Sequence, residues 1–158
     1  MKVIIYEYIY TTDNFIKIPT LTYFRDLIKH IEDSYSNSAG GLKIKSNIEE
    51  SRINMALAVP LGLIVNELIT NSYKYAFESH ERVNQVTINF KNESADGTYE
   101  LQVFDNGNGM PVDFEITESK SFGLQMIEGL VRQLEGKIEH RLGEGAGYNI
   151  HVKDVEAA

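Results

Sequence analysis

The stretch PLGLIVNELITNSYKYAF, residues 60–77, predicts one long helix with two different faces. At about 100° per residue, its apolar side chains fall on a broad arc suited to packing on a sheet, namely Leu61, Ile64, Val65, Leu68, Ile69 and Ala76. Glu67, Asn71 and Lys74 fall on a separate, narrow arc. The sequence therefore predicts a helix over about 54–77 that buries one face and presents a carboxylate, a carboxamide and an ammonium group on the other.

The narrow polar arc has two interpretations. A solvated helix face is the commoner one for such a triplet taken alone. Asn66 and Asn71 are mediocre helix formers in the middle of a helix, however, and that cost is easier to understand if a side chain has a function. A carboxamide oxygen is a suitable ligand for magnesium, and a nearby lysine suits phosphate.

The flanking sequence predicts further helices and strands. Residues 15–18 predict a short edge strand closed off by Pro19, and Thr20 is the predicted N-cap of a helix to about residue 33. This helix is expected to direct inward Leu21, Phe24, Leu27, Ile28 and Ile31. Alternating residues predict strands over 42–48, 86–90, 99–104, 137–142 and 148–152, and a helix over 122–135 has Gly136 as its predicted C-cap. We expect an α+β fold, a two-layer α/β sandwich in which a mixed, mostly antiparallel sheet is covered by helices on one face.

The segment DNGNGMP, residues 105–111, directly follows a predicted strand. Asp105 at a strand end can accept a hydrogen bond from an exocyclic amine, and Gly107 and Gly109 permit close backbone approach to a ligand. A plain Asn-Gly hairpin turn is the ordinary interpretation. Residues 111–121 are polar and irregular instead of forming the next strand, which favours a functional loop.

Two more glycine segments follow. Residues 121–124, SFGL, open the predicted third helix, where free backbone N–H groups can face phosphates. Residues 143–150, GEGAGYNI, place three glycines before the last strand. Each of these signals is weak when it stands alone.

Composition narrows the class of protein. The 158 residues are enough for one domain, and 42% apolar residues with 24% charged residues are ordinary for a globular protein. The net charge of −8 argues against nucleic-acid binding, and the absence of cysteine excludes disulfides and thiolate metal sites. The longest apolar run, residues 56–65, is too short to span a bilayer, so we expect no membrane contact by this fragment.

The order and spacing of the four segments resemble the GHKL ATPases and, within them, the catalytic domains of bacterial and archaeal histidine kinases. PLGLIVNELITNSYKYAF is similar to the asparagine box of a subfamily that typically reads PLGLIxNELxTNAxKYAF, and SFGLQMIEGLVRQLEGKIE, residues 121–139, is similar to the second glycine box. The resemblance covers roughly residues 12–153 and implies a Bergerat-type ATP-binding fold.

The resemblance implies roles for individual residues. Asn71 would hold the Mg²⁺ bound to ATP, Lys74 would contact phosphate, and Tyr75 would lie against the nucleotide. Asp105 would bind the adenine amino group, with Gly107 and Gly109 making room for the base. Residues 110–121 would form a lid over the phosphates, and nucleotide contacts are implied for Met110, Lys120, Ser121, Phe122, Gly123 and Leu124.

Glu67 matches the position at which related ATPases carry a water-activating glutamate. In a kinase it is expected to orient the metal shell instead, so the implied catalytic residues are Glu67, Asn71 and Lys74. The sequence departs from the family where Gly145 is followed by Ala146 in place of threonine, which predicts weaker or rearranged adenine binding. Ser72 replaces the usual alanine, and we expect no effect.

The resemblance also implies a divided enzyme. Residues 1–17 would be the remnant of a dimerisation helix and its linker, and residues 18–158 the ATP-binding catalytic domain. The partners of the catalytic domain would be a response regulator and the histidine-containing dimerisation domain of the same parent protein, which would be a dimer. The expected location is the cytoplasm. None of the four histidines resembles the phosphate acceptor, so we expect a monomeric fragment that does not phosphorylate itself.

Three other functions share parts of this pattern. A stand-alone serine kinase of the anti-sigma type has the same ATP fold, and a gyrase- or chaperone-like ATPase would use Glu67 as a general base. A degenerate module would bind nucleotide or protein without catalysis, which Ala146 favours and Asn71 and Asp105 oppose.

Overall fold

The computed structural model describes residues 17–37, 41–75, 84–107, 122–141 and 147–154. In chain order the elements are β1 (Ile18–Pro19), α1 (Thr20–Ser34), β2 (Lys43–Ile48), β3 (Arg52–Ile53), α2 (Met55–Tyr75), β4 (Gln85–Ser94), β5 (Thr98–Asp105), α3 (Phe122–Gln133), β6 (Lys137–Arg141) and β7 (Gly147–Lys153).

Alternating side chains build a five-stranded sheet in the order β2-β4-β5-β7-β6. The β2–β4 pair is parallel and the other pairs are antiparallel. A separate two-stranded sheet joins β1 to β3. The predicted α+β fold with a mixed, mostly antiparallel sheet is confirmed.

The sheet has one apolar face, and the helices pack on it. The buried aliphatic and phenylalanine side chains of its three central strands are Val86, Ile88, Phe90, Leu101, Val103, Ile150 and Val152. Phe24 of α1 lies 5.0 Å from Phe90 between ring centroids, and the buried hydroxyl of Tyr23 donates to the carbonyl oxygen of Ala58 at 2.6 Å. One continuous core therefore holds α1, α2 and the sheet together.

The start of α1 differs from the prediction. Pro19 stands at the N-cap position, and Thr20 is the first helical residue. The Thr20 hydroxyl donates to the carbonyl oxygen of Glu49 at 2.8 Å, so it fixes the neighbouring loop instead of capping the helix. Leu21 is 44% exposed, because Tyr23 extends the buried arc on the opposite side of the helix.

The end of α3 differs as well. Gly136 was the expected C-cap, but Glu135 takes the left-handed backbone conformation, with φ of 54°. The N–H of Gly136 donates to the carbonyl oxygen of Val131 at 2.9 Å, which completes a Schellman motif. A side chain on Gly136 would collide with the carbonyl oxygen of His151, so the glycine serves close approach to β7.

Helix α2 begins at a capping residue within the predicted limits. The Asn54 side-chain oxygen accepts a hydrogen bond from the N–H of Ala56 at 3.0 Å. The segment Met55–Tyr73 is long and apolar enough to cross a membrane by length and composition, but 56% of it is buried inside the fold. Core helices of soluble proteins pass the same test, so this is weak evidence for a span.

Candidate functional site

Helix α2 has the two faces that its sequence predicts. Leu61, Ile64, Val65, Leu68 and Ile69 are buried in the core. Glu67 and Asn71 are half-buried on the other face. Ala76 lies outside the described residues. The polar pair is therefore held on a rigid element whose opposite face is locked by packing.

Glu67 lies against the first turn of α3. A Cβ built on Gly123 would stand 2.9 Å from the Glu67 carboxyl carbon and closer still to its Oε1 atom. The first N–H groups of a helix have no partner within it, and that end carries partial positive charge. The glycine therefore lets a carboxylate approach the positive end of α3, and α2 and α3 meet at the predicted site.

Asp105 ends β5 on the helix-covered face of the sheet. It is 5% exposed, and its Oδ1 atom accepts a hydrogen bond from the N–H of Gly107 at 2.9 Å. Asn106 fixes this strand end, because its N–H donates to the carbonyl oxygen of Gln85 and its side chain accepts from the Gln85 N–H. The DNG sequence thus forms a turn that positions a buried carboxylate at the edge of the core.

Tyr148 of β7 is a neighbour of Asp105 that the sequence analysis did not single out. Burial raises the pKa of the Tyr148 phenol to about 12, and the negative charge of Asp105 adds to the rise. Val103 faces Tyr148 across the β5–β7 ladder. Strand alternation alone would have placed Tyr148 on the inward face.

Gly147 allows β7 to start close to β5. A Cβ on Gly147 would stand 2.8 Å from the Cβ of Phe104. On the open face, the Arg141 guanidinium carbon lies 4.8 Å from the centroid of the Phe104 ring, a cation–π distance. The glycine that opens the final strand therefore has a packing role against Phe104, the residue before Asp105.

The first turn of α3 contains three of the predicted nucleotide contacts. Phe122 is 82% exposed, whereas Gly123 and Leu124 are buried. Leu124 packs in the core with Ile127 and Val131. The turn is thus anchored by Leu124, next to the Glu67 contact at Gly123.

The remaining predicted residues lie wholly or partly beyond the structural description. Lys74 and Tyr75 belong to the last turn of α2, and only their helical backbone is described. Gly109, Met110, Lys120 and Ser121 lie outside the described residues, as does Ala146. Their roles stay predictions.

A separate groove of ≈ 1170 Å³ lies between α1 and the β2 edge, lined by residues that include Arg25, Ile48 and Asn89. None of the candidate site residues lines it. Of the predicted site residues, the structure brings Glu67 and Gly123 into direct contact where α2 meets α3.

Comparison with known proteins shows the family to which the chain belongs. Residues 56–156 match the family model described as histidine kinase-, DNA gyrase B- and HSP90-like ATPase. The chain is 33% identical over 82 residues to the sensor histidine kinase PdtaS of Mycolicibacterium smegmatis, and 30% identical over 97 residues to PdtaS of Mycobacterium tuberculosis. These alignments cover 51% and 61% of this chain but only 16% and 19% of the relatives.

Solved structures share the fold. The histidine kinase domain of a blue-light activated histidine kinase from Erythrobacter litoralis superposes with a TM-score of 0.81 at 21% identity, covering 98% of this chain and 71% of that one. The histidine kinase AdeS of Acinetobacter baumannii gives 0.68 at 13% identity, covering 98% and 76%. The family match covers more than half of the sequence, and this chain therefore belongs to the histidine kinase-, DNA gyrase B- and HSP90-like ATPases.

Proposed function

We propose that this chain binds Mg-ATP and donates the γ-phosphoryl group to a histidine on a separate dimerisation domain. The observation that carries the proposal is the buried Asp105 carboxylate at the end of β5, in a chain of an ATPase family. A carboxylate is costly to bury, and at this position it can accept a hydrogen bond from the exocyclic amine of adenine.

The residues present fit a magnesium nucleotide. Asn71 offers a hard carboxamide oxygen on the polar face of α2, and Glu67 on the same face adds a carboxylate. Gly123 lies in the N-terminal turn of α3, and the backbone N–H groups of this turn can donate hydrogen bonds to phosphate oxygens. Mg²⁺ bound with the nucleotide would neutralise phosphate charge.

The chain's own residues would contribute to phosphoryl transfer by positioning the nucleotide and by offsetting its phosphate charge. Asp105 would orient the base, Asn71 the metal and Lys74 the phosphates, with Tyr75 and the 110–121 segment contacting the nucleotide. Glu67 lies beside the positive end of α3, where its carboxylate stands against Gly123. This supports a role in orienting the metal's water shell, in keeping with a kinase that avoids transfer to water.

The wider assignments rest on the relatives. Those proteins are sensor histidine kinases, and this chain spans less than a fifth of their length. The proposal includes a dimerisation domain in the same dimeric parent, with residues 1–17 as the end of its second helix. It also includes a response regulator as the next phosphate acceptor, and a cytoplasmic location.

Calorimetric titration with a non-hydrolysable ATP analogue and Mg²⁺ tests nucleotide binding. We expect Asn71→Ala and Asp105→Ala each to weaken binding by about tenfold or more, because each removes a hydrogen-bonding or ligand group. Asn47→Ala on β2 and Asp33→Ala at the end of α1 are matched controls at exposed positions, and they should leave affinity unchanged. Equal affinity in all five proteins, or no binding by the wild type, would overturn the proposed site.

Phosphotransfer tests the reaction itself. The chain is mixed with radiolabelled ATP and a separately supplied dimerisation domain, and label is followed on the acceptor histidine. We expect acid-labile label on that domain and none on this chain. Phosphate release to water without labelling would instead identify an ATPase that uses Glu67 as a base, and Glu67→Gln would then abolish the release.

A further inference from the structure

Two glutamates and a histidine converge on the open face of the sheet, opposite the helices. His151 Nδ1 lies 3.0 Å from Glu93 Oε2 and 3.1 Å from Glu93 Oε1. His151 Nε2 lies 3.7 Å from Glu100 Oε2. One ligand-capable atom from each of the three residues falls within 4.8 Å of the other two.

Strand register explains why the three side chains meet. Glu100 faces His151 directly across the β5–β7 ladder. Glu93 belongs to β4, two strands away, which corresponds to roughly 10 Å of strand spacing. The β4–β5 register shifts between Asn92 and Ser94, and this irregularity leaves Glu93 unpaired in the ladder. A bulge re-aims the side chain of its extra residue, and Glu93 reaches His151 across β5.

The cluster is separate from the nucleotide site. Glu100 lies near the start of β5 and Asp105 at its end, and strand alternation points their side chains to opposite faces of the sheet. The two sites also suit different metal ions, because Mg²⁺ prefers oxygen ligands, whereas the imidazole of this cluster suits transition metals.

The charged groups around the cluster favour binding of a cation. Lys91 Nζ lies 3.4 Å from Glu100 Oε1, while the Glu100 Oε2 atom faces the imidazole. The Glu100 side chain is only 11% exposed. Lys137 is the cross-strand neighbour of His151, and its Nζ atom forms an ion pair with Glu139 Oε1 at 2.7 Å. Lys91 pairs with Glu100 and therefore offsets the charge of one of the two carboxylates.

We propose that Glu93, Glu100 and His151 form a binding site for a divalent transition-metal ion of the Zn²⁺ class. One imidazole nitrogen and two carboxylate oxygens are a three-ligand set that leaves a position for water. Ligand atoms about 2.0–2.2 Å from zinc lie roughly 3.3–3.6 Å apart in a tetrahedron. The two carboxylates face different nitrogens of the His151 ring, so one of them must turn before all three residues can share one ion. The Glu93 side chain is 28% exposed and has the room to do so.

Zinc titration of the full 158-residue chain, without nucleotide, tests the site. Competition against a chromophoric chelator gives affinity and stoichiometry, and we expect one equivalent to bind. His151→Gln and Glu93→Gln should weaken binding by at least about tenfold. Circular dichroism and retained binding of the ATP analogue show whether each variant is folded.

Controls separate this site from surface histidines and from the nucleotide site. His30→Gln on α1 and Glu50→Gln at an exposed position between β2 and β3 should bind zinc as the wild type does, and so should Asn71→Ala. In the wild type, the His151 ring resonances should shift in proton NMR as zinc is added, ahead of those of the other histidines. No stoichiometric binding, equal losses in His30→Gln and His151→Gln, or unshifted His151 resonances would overturn the proposal.

Discussion

The Glu67 carboxylate of α2 occupies the space that a side chain at Gly123 of α3 would need. The two residues come from distant parts of the sequence, and their contact joins the predicted asparagine-bearing helix to the predicted phosphate-binding turn. The nearest Glu67 atoms are the far end of a flexible side chain, so the contact can yield without disrupting the core.

Gly123→Ala should therefore impair function more than stability. The new methyl group displaces the Glu67 carboxylate, and we expect Mg-nucleotide affinity to fall by about tenfold, because small misplacements at such sites are costly. The free energy of unfolding should change by less than about 1 kcal/mol. Calorimetry and urea unfolding measure the two effects. Gly129→Ala on the same helix is the control, since its Cβ would meet nothing within 4 Å. Equal nucleotide affinity in the two variants would refute the role of the contact.

Gly136→Ala should show the opposite pattern. Its Cβ would collide with the backbone carbonyl oxygen of His151, which cannot swing aside, and would stand 3.1 Å from Val152 Cγ1. We expect a loss of about 1–3 kcal/mol in the free energy of unfolding. Urea titration followed by circular dichroism measures it. Gly129→Ala should instead gain about 0.5–1 kcal/mol, because alanine is the better helix former. A Gly136→Ala protein as stable as wild type would contradict the packing.

Asp154 should contribute more stability than the lysine beside it. Its buried Oδ2 atom accepts from the N–H of Asn54 at 3.0 Å and lies 3.3 Å from Lys17 Nζ. Asp154→Ala leaves a buried N–H group without an acceptor, and we expect a loss of about 1–3 kcal/mol. Lys17→Met should cost less than about 1 kcal/mol, since the Lys17 side chain is 34% exposed. Urea unfolding of both variants at neutral pH tests this order of effects. Equal losses of unfolding free energy in the two variants would contradict it.

Tyr148 should make stability depend on alkaline pH. Burial and the Asp105 charge raise its pKa from 10.0 to about 12. A group whose pKa is raised by folding adds stability that is fully present below the unfolded pKa and is lost as pH rises through the folded pKa. We expect this contribution to disappear between about pH 10 and 12, and to be absent in Tyr148→Phe. Unfolding free energies measured from pH 9 to 11.5 test the difference, and parallel curves would disprove it.

The sequence predicts the elements of this fold well where periodicity is strong. The apolar arc of α2 and the alternation of β4, β5 and β7 depend only on nearest neighbours along the chain, and burial follows both patterns. Residues at element ends were less predictable. The sequence predicts capping roles for Thr20 and Gly136, but long-range contacts with Glu49 and His151 determine what each does.

The candidate site could be predicted as a list of residues but not as an arrangement. Motif spacing indicated Glu67, Asp105 and Gly123, whereas the Glu67–Gly123 contact and the Asp105–Tyr148 proximity depend on how helices and strands pack. The Glu93 irregularity likewise has no local sequence signal, because a bulge arises from the pairing of two strands.

One buried carboxylate connects the foot of α2 with both ends of the described domain. Asp154, just after β7, binds the N–H of Asn54 at the foot of the helix and also the ammonium of Lys17, just before β1. With a rise of 1.5 Å per residue, Asn71 stands about 25 Å along the helix from that foot. Because the opposite face of α2 is packed in the core along this length, any displacement of the foot reaches the proposed metal-binding side chain through a rigid helix.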